Sequence, residues 1–179
     1  MSSVDGRPLD RPGSNVVVFI RGRSRQSPFG NSAKSVEKIK VMKVLVAEDD
    51  PVSRKFLEKI LKSLGYEVTS CLDGAKAWAA FLETGYSIVI SDWMMPEMDG
   101  LELCRRIRRS ATWGYTYFIM QTAKTNKADF LDAMDAGADD YLTKPLDIEE
   151  VKVRLRVAER ILDLHRAKSQ SSAQGGLSF

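Results

Sequence analysis

From Met42 onward, short apolar runs alternate with stretches of helical periodicity, and this alternation constrains the fold more than any other feature of the chain. It is the mark of βαβ units, in which crossover helices join parallel strands. The predicted strands are Lys43–Ala47, Glu67–Cys71, Ser87–Ser91, Tyr117–Gln121 and Asp140–Thr143, with five helical segments interleaved. Pro51 suits the first turn of the first helix, Val52, Phe56, Ile60 and Leu64 line one of its faces, and Gly65 ends it. Ala77, Trp78 and Phe81 mark the second helix. Leu101, Cys104 and Ile107 mark the third, and Phe130, Ala133 and Met134 the fourth. Arg105, Arg106, Arg108 and Arg109 cluster near the end of the third helix, where a solvated face favoured by the helix dipole accounts for them.

The last helical segment carries two apolar stripes. Ile148, Val151, Leu155, Ala158 and Leu162 form one, and Val153, Val157, Ile161 and Leu164 form the other. One stripe covers the sheet, which leaves the second without a partner inside a single domain. That predicts a dimer or docking helix running to about Lys168. The last residues are too few and too polar for another domain, so residues 167–179 read as a flexible tail.

A chain of 179 residues suits one ordinary domain with tails. Its composition, 44% hydrophobic and 28% charged, is that of a soluble globular protein. No apolar run approaches the ~20 residues of a transmembrane helix. The N-terminal residues lack the continuous apolar segment of a secretory signal, so a cytoplasmic protein with no membrane contact is expected. Cys71 ends a strand and Cys104 lies on a helix. They form no metal or redox motif and read as reduced packing thiols.

The net charge of +3 is unevenly spread. Residues 1–42 hold 8 Lys/Arg against 3 Asp/Glu, whereas residues 43–166 hold 18 against 21. Rich in Ser, Gly, Pro and Arg, residues 1–42 read as a disordered basic arm, with Val16–Ile20 a sticky segment of it. The folded part is mildly acidic, and direct nucleic-acid binding by it is not expected.

The chemistry lies where the strands end. In open α/β sheets, ligands bind at the carboxyl ends of the strands. Glu48-Asp49-Asp50 follow the first strand, Asp92 the third, Thr122-Ala123 the fourth and Lys144-Pro145 the fifth. Asp50, directly before Pro51, can cap the first helix. Three acids at one strand end exceed what a cap requires, and they repel one another and Asp92 unless a cation sits among them. Magnesium prefers oxygen ligands and keeps several waters, so a few acids suffice. Asp92 is the best nucleophile candidate, since a carboxylate can take a phosphoryl group as an acyl phosphate. Lys144 can supply a compact positive charge, held extended by Pro145. Thr122 offers a hydroxyl donor, and Ala123 leaves room beside it.

In order and spacing, these segments resemble the receiver domain of two-component response regulators, the family of the chemotaxis response regulator. The matching runs are Val44–Asp50, Ile88–Gly100, Thr122-Ala123 and Asp140–Leu146, and the resemblance covers about residues 42–166. It implies a flavodoxin-like α/β three-layer sandwich over residues 43–166. The sheet would have five parallel strands in the order 2-1-3-4-5, with five helices. It also implies that Asp92 is the phosphoacceptor, that Mg2+ is held by Glu48, Asp49, Asp92 and the main-chain carbonyl of Met94, and that Lys144 and Thr122 sense the phosphoryl group. Tyr141 takes the place of the aromatic switch residue that moves with Thr122. By the same resemblance, Met94 and Lys124 occupy positions that in this family tune the dephosphorylation rate. Gln121 is a polar departure from the usual apolar residue before the threonine.

The function this implies is a phosphorylation-dependent switch rather than an enzyme acting on a separate substrate. A sensor histidine kinase or histidine phosphotransfer protein would donate to Asp92. The face made by the fourth helix, fifth strand and fifth helix would then change partner, as a homodimer or toward an output partner. A phosphorylation-independent receiver-like binding module is the alternative, although such modules usually lose a site residue that this chain keeps. A magnesium-dependent phosphohydrolase would need a general acid–base and a substrate cap. The sole histidine, His165, reads as a surface residue of the last helix. These residues contain no DNA-binding, cyclase or phosphatase domain. The chain acts alone through its last helix or is the front end of a longer regulator.

Overall fold

The computed structural model describes residues 41–110, 112–123 and 127–174. The basic arm over residues 1–42, except for Val41 and Met42, lies outside them, as do Lys124 and residues 175–179. Five strands and five helices alternate: β1 (Lys43–Ala47), α1 (Pro51–Ser63), β2 (Glu67–Cys71), α2 (Gly74–Thr84), β3 (Ile88–Asp92), α3 (Gly100–Arg109), β4 (Tyr117–Thr122), α4 (Lys127–Asp135), β5 (Asp140–Thr143) and α5 (Ile148–Gln174). The strands are parallel in the order β2-β1-β3-β4-β5, as expected.

Strands β1, β3 and β4 are buried along nearly their whole length because helices cover both faces of the sheet. Alternate residues feed two cores. Leu45, Val89, Phe118 and Met120 join Ala77 and Phe81 of α2 and Leu103, Cys104 and Ile107 of α3. Val44, Val46, Ile88, Ile90 and Ile119 join Leu57, Ile60 and Leu61 of α1 and Val151, Leu155, Ala158 and Leu162 of α5. Burying each such aliphatic side chain contributes roughly 1.5–3 kcal/mol.

Helix starts follow the sequence signals. Asp50 caps α1 by accepting the Ser53 N–H at 2.7 Å, ahead of Pro51, and Gly65 follows the helix with φ 88°. The buried face of α1 departs from the expectation. Val52 and Leu64 are exposed, whereas Ile60 is buried as expected, together with Leu57 and Leu61. The helix offers two overlapping apolar stripes, and the one with adjacent leucines four apart meets the sheet. Phe130 of α4 is also exposed rather than core.

Helix α5 buries Val151, Leu155, Ala158 and Leu162, but Ile148 at its start is exposed. Of the second stripe, Val157 and Ile161 are half-buried against the core edge, whereas Val153 and Leu164 are exposed. The helix continues to Gln174, so residues 167–174 extend α5 where a flexible tail was expected. No helix among the described residues is long and apolar enough to cross a membrane.

Candidate functional site

The carboxyl ends of β1, β3, β4 and β5 converge. Glu48 follows β1, Asp92 ends β3, Gln121 and Thr122 end β4, and Lys144 follows β5. Strand pairing sets the spacing: Asp92 is in register with Gln121, and Thr122 with Thr143. A backbone hydrogen bond from the Lys144 N–H to the Thr122 carbonyl, 2.8 Å, ties the two loops together.

Gly100 lets α3 approach this end closely. A Cβ there would meet the Asp92 carbonyl oxygen at 2.3 Å, so any larger residue would push the helix start off the strand. The Gly100 N–H donates to the Trp93 carbonyl at 2.8 Å, and the Asp99 carboxylate caps α3 through the Glu102 N–H at 2.7 Å. The loop from Trp93 to Asp99 therefore folds tightly over the end of β3.

Glu48 is fully buried and Asp92 is 8% exposed, whereas Asp49 is exposed. One carboxylate oxygen from each of these three residues lies within 4.8 Å of the others. The Lys144 ammonium donates to Asp92 Oδ2 at 2.5 Å and to Glu48 Oε1 at 3.0 Å, and it is ion-paired with Glu48 Oε2 at 2.8 Å. Three acids thus face one lysine, leaving a surplus of negative charge. Burial pushes the Glu48 carboxyl above its usual range, and the nearby Asp92 charge adds to that, against the lowering effect of Lys144. For Lys144, burial favours the neutral amine, but the hydrogen bonds to Asp92 and Glu48 outweigh it and hold the ammonium protonated to higher pH.

An all-oxygen donor set with surplus negative charge fits a hard divalent cation such as Mg2+. Glu48, Asp49 and Asp92 are the side chains able to hold it. The Met94 side chain is exposed in the loop after β3. Thr122 is buried at the strand end, and Tyr141 is half-buried on β5, with Phe130 edge-on to its ring at 5.8 Å.

Two contacts have partners that the sequence does not name, although Gln121 stands out in it as a polar departure. Arg54 of α1 donates to the main-chain carbonyls of Glu48, 2.8 Å, and Asp49, 3.1 Å, and so braces the loop without engaging its carboxylates. Gln121 donates to Glu48 Oε2 at 2.6 Å. His165 lies elsewhere: its ring stacks on Tyr115 at 3.8 Å. The two rings line a groove of about 600 Å³ with Lys43, Trp113 and Arg166, and none of the strand-end residues takes part.

Residues 44–156 match the model of the response regulator receiver domain. The transcriptional regulatory protein TcrA of Mycobacterium tuberculosis is 40% identical over 119 residues, covering 66% of this chain and 46% of the relative. The response regulator ArlR of Staphylococcus saprophyticus is 38% identical over 118 residues, covering 66% and 52%. The chain spans about half the length of the curated relatives it matches. Among solved structures, the chemotaxis protein CheY4 of Vibrio cholerae superposes with a TM-score of 0.63 at 28% identity, over 66% of this chain and 99% of that one. The receiver domain of a Pseudomonas aeruginosa sensor histidine kinase, whose structure has a magnesium ion coordinated in its active-site cleft, gives a TM-score of 0.61 at 31% identity. That match covers 69% of this chain and 99% of the other. With the strand order in agreement and the family model matched over more than half of the chain, this protein belongs to the response regulator receiver domain family of two-component systems.

Proposed function

We propose that Asp92 accepts a phosphoryl group and that the receiver works as a switch. The observation that carries this reading is the Lys144 ammonium bridging Asp92 at 2.5 Å and Glu48 at 3.0 Å within a cluster of acids. A carboxylate oxygen of Asp92 attacks the phosphorus of a phosphohistidine on a sensor kinase or histidine phosphotransfer protein. The new O–P bond forms as the donor N–P bond breaks, and the imidazole leaves with that electron pair. Mg2+, held by Glu48, Asp49, Asp92 and the Met94 carbonyl, supplies charge neutralisation when bound. Lys144 turns from the carboxylates toward the phosphoryl oxygens, and the Thr122 hydroxyl donates to another of them. The chemistry is confined to this one side chain, and no separate substrate is turned over.

The shift of Thr122 and Lys144 is read by Tyr141 and by the α4-β5-α5 face. The edge-on contact between Phe130 and Tyr141 supports this, because it links the ring to the exposed surface of α4. Exposed Val153 and Leu164 on α5 suit a second copy or an output partner. TcrA is named a transcriptional regulatory protein, and RpaA of Synechocystis a DNA-binding transcriptional regulator. They lend no support to the expectation of no direct nucleic-acid contact, and they favour a DNA-binding output controlled by the receiver. Against a phosphohydrolase, His165 stacks on Tyr115, apart from the strand-end cluster.

The test is intact mass after treatment with a small phosphodonor and Mg2+. Wild type gains one phosphoryl group and Asp92→Asn gains none. An unmodified wild type, with no binding of a phosphoryl mimic, puts the phosphorylation-independent binding module ahead.

A further inference from the structure

Gln121 has no part in the roles assigned so far, yet it is fully buried beside the acids. Strand alternation turns it to the α1 and α5 side of the sheet, the side that takes Tyr117 and Ile119. Glu48 lies on the same side, continuing Val44 and Val46. A carboxylate only accepts hydrogen bonds, so the amide nitrogen of Gln121 faces Glu48, at 2.6 Å. The amide oxygen is buried and has no partner among the described residues. A residue serving only to fill space would not need this arrangement, since methionine fills the same volume with no amide to desolvate.

The donors to Glu48 divide into fixed and movable ones. Oε1 accepts the Asp50 N–H at 3.2 Å and Lys144 at 3.0 Å, and Oε2 accepts Gln121 at 2.6 Å and is ion-paired with Lys144 at 2.8 Å. Lys144 is shared with Asp92 at 2.5 Å. Any move of Lys144 toward a group on Asp92 weakens its hold on Glu48. Gln121 sits on a sheet strand and does not move with it.

We propose that Gln121 is a positioning residue. It holds the Glu48 carboxylate independently of Lys144, and so sets the affinity of the site for a divalent cation. The proposal rests on the reading of Glu48 and Asp92 as metal-holding acids. Partners that orient ligating groups typically contribute about 10–100-fold to metal affinity.

The experiment is a Mg2+ titration of the full chain, followed by tryptophan fluorescence, because buried Trp93 directly follows Asp92. Wild type, Gln121→Met, Glu48→Gln and the double variant form a cycle, with Asp92→Asn as the control. Gln121→Met is expected to weaken Mg2+ binding about tenfold when Glu48 is present, and by less than about twofold in the Glu48→Gln background. Near-UV circular dichroism without Mg2+ checks the fold, and Gln121→Leu replaces the methionine variant if that one unfolds. Unchanged affinity in Gln121→Met overturns the proposal. So does equal weakening in both backgrounds, which marks a packing effect. If wild type and Asp92→Asn bind Mg2+ equally, the reading of the acids fails and the proposal falls with it.

Discussion

At the amino end of the sheet an arginine is surrounded by acceptors that match it, and at the carboxyl end a lysine is outnumbered by acids. Arg108 donates through Nε to the Gly137 carbonyl at 2.6 Å, through Nη1 to the Thr116 carbonyl at 2.8 Å and through Nη2 to Asp139 at 2.5 Å. Asp139 also accepts the Phe118 N–H at 2.6 Å and the Tyr115 hydroxyl. One charge of each sign is present and each is held by several hydrogen bonds, so the cluster has a single good arrangement. Lys144, by contrast, divides itself among Asp92 and both oxygens of Glu48, and the charge there does not balance. The first cluster fastens α3 to the starts of β4 and β5. The second is satisfied only partly, which leaves it ready to take a cation or a phosphoryl group.

The sharpest way to break that comparison is Arg108→Ala. It strands the Asp139 carboxylate, 18% exposed, without its counter-ion. Urea denaturation is expected to show a loss of about 3 kcal/mol. Lysine should recover little of it, because a point charge cannot reach three acceptors in the geometry of the guanidinium fork. A loss below about 1 kcal/mol would mean that the amino-end cluster is an ordinary surface pair.

These two clusters were unequally legible in the sequence. The carboxyl-end residues stand at the ends of apolar runs, marked by Pro and Gly, and the parallel topology brings such positions together whatever lies between them. The strands were legible for the same reason, to within a residue at β3 and β4. Arg108 was not. It shares the end of α3 with Arg105, Arg106 and Arg109, which are exposed, and nothing local distinguishes the one whose partner is 31 residues away. The partner of Gln121 is 73 residues away. Arg54 grips main-chain carbonyls, which have no sequence identity at all. The buried face of α1 was misread at Val52 and Leu64 because periodicity shows that a helix has an apolar side, and packing chooses between overlapping stripes.

The two ends should also respond at opposite limits of pH. Burial, together with the nearby acids, pushes the Tyr117 phenol up to about 12 and raises Tyr115, which donates to Asp139. The folded state holds these protons more tightly than the unfolded chain. Their stabilising contribution is therefore complete below the ordinary tyrosine value of about 10 and is lost as pH rises through the folded values. Glu48 is likewise raised, from 4.5, so its contribution to the metal-free protein is present in acid and lost as pH climbs above that value. Urea midpoints should fall steeply above about pH 10 in wild type and less steeply in Tyr115→Phe. An identical slope in the variant would remove the amino end from the alkaline transition.

The smallest effect probes the unbalanced end directly. Asp92→Asn keeps the shape of the side chain and removes one of three crowded negative charges, while Lys144 retains Glu48 as a partner. Repulsion among the acids is expected to dominate, so the metal-free variant should be more stable than wild type by about 1 kcal/mol, what is left of the repulsion after the lost lysine contact is deducted. Mg2+ should then reverse the order, because a cation that binds the folded wild type adds stability as its concentration rises and the variant gains less. Thermal unfolding of both proteins with and without Mg2+ reads this crossing. Were Asp92→Asn the less stable protein without Mg2+, Lys144 would already neutralise the acids, and the two ends of the sheet would differ in geometry but not in charge balance.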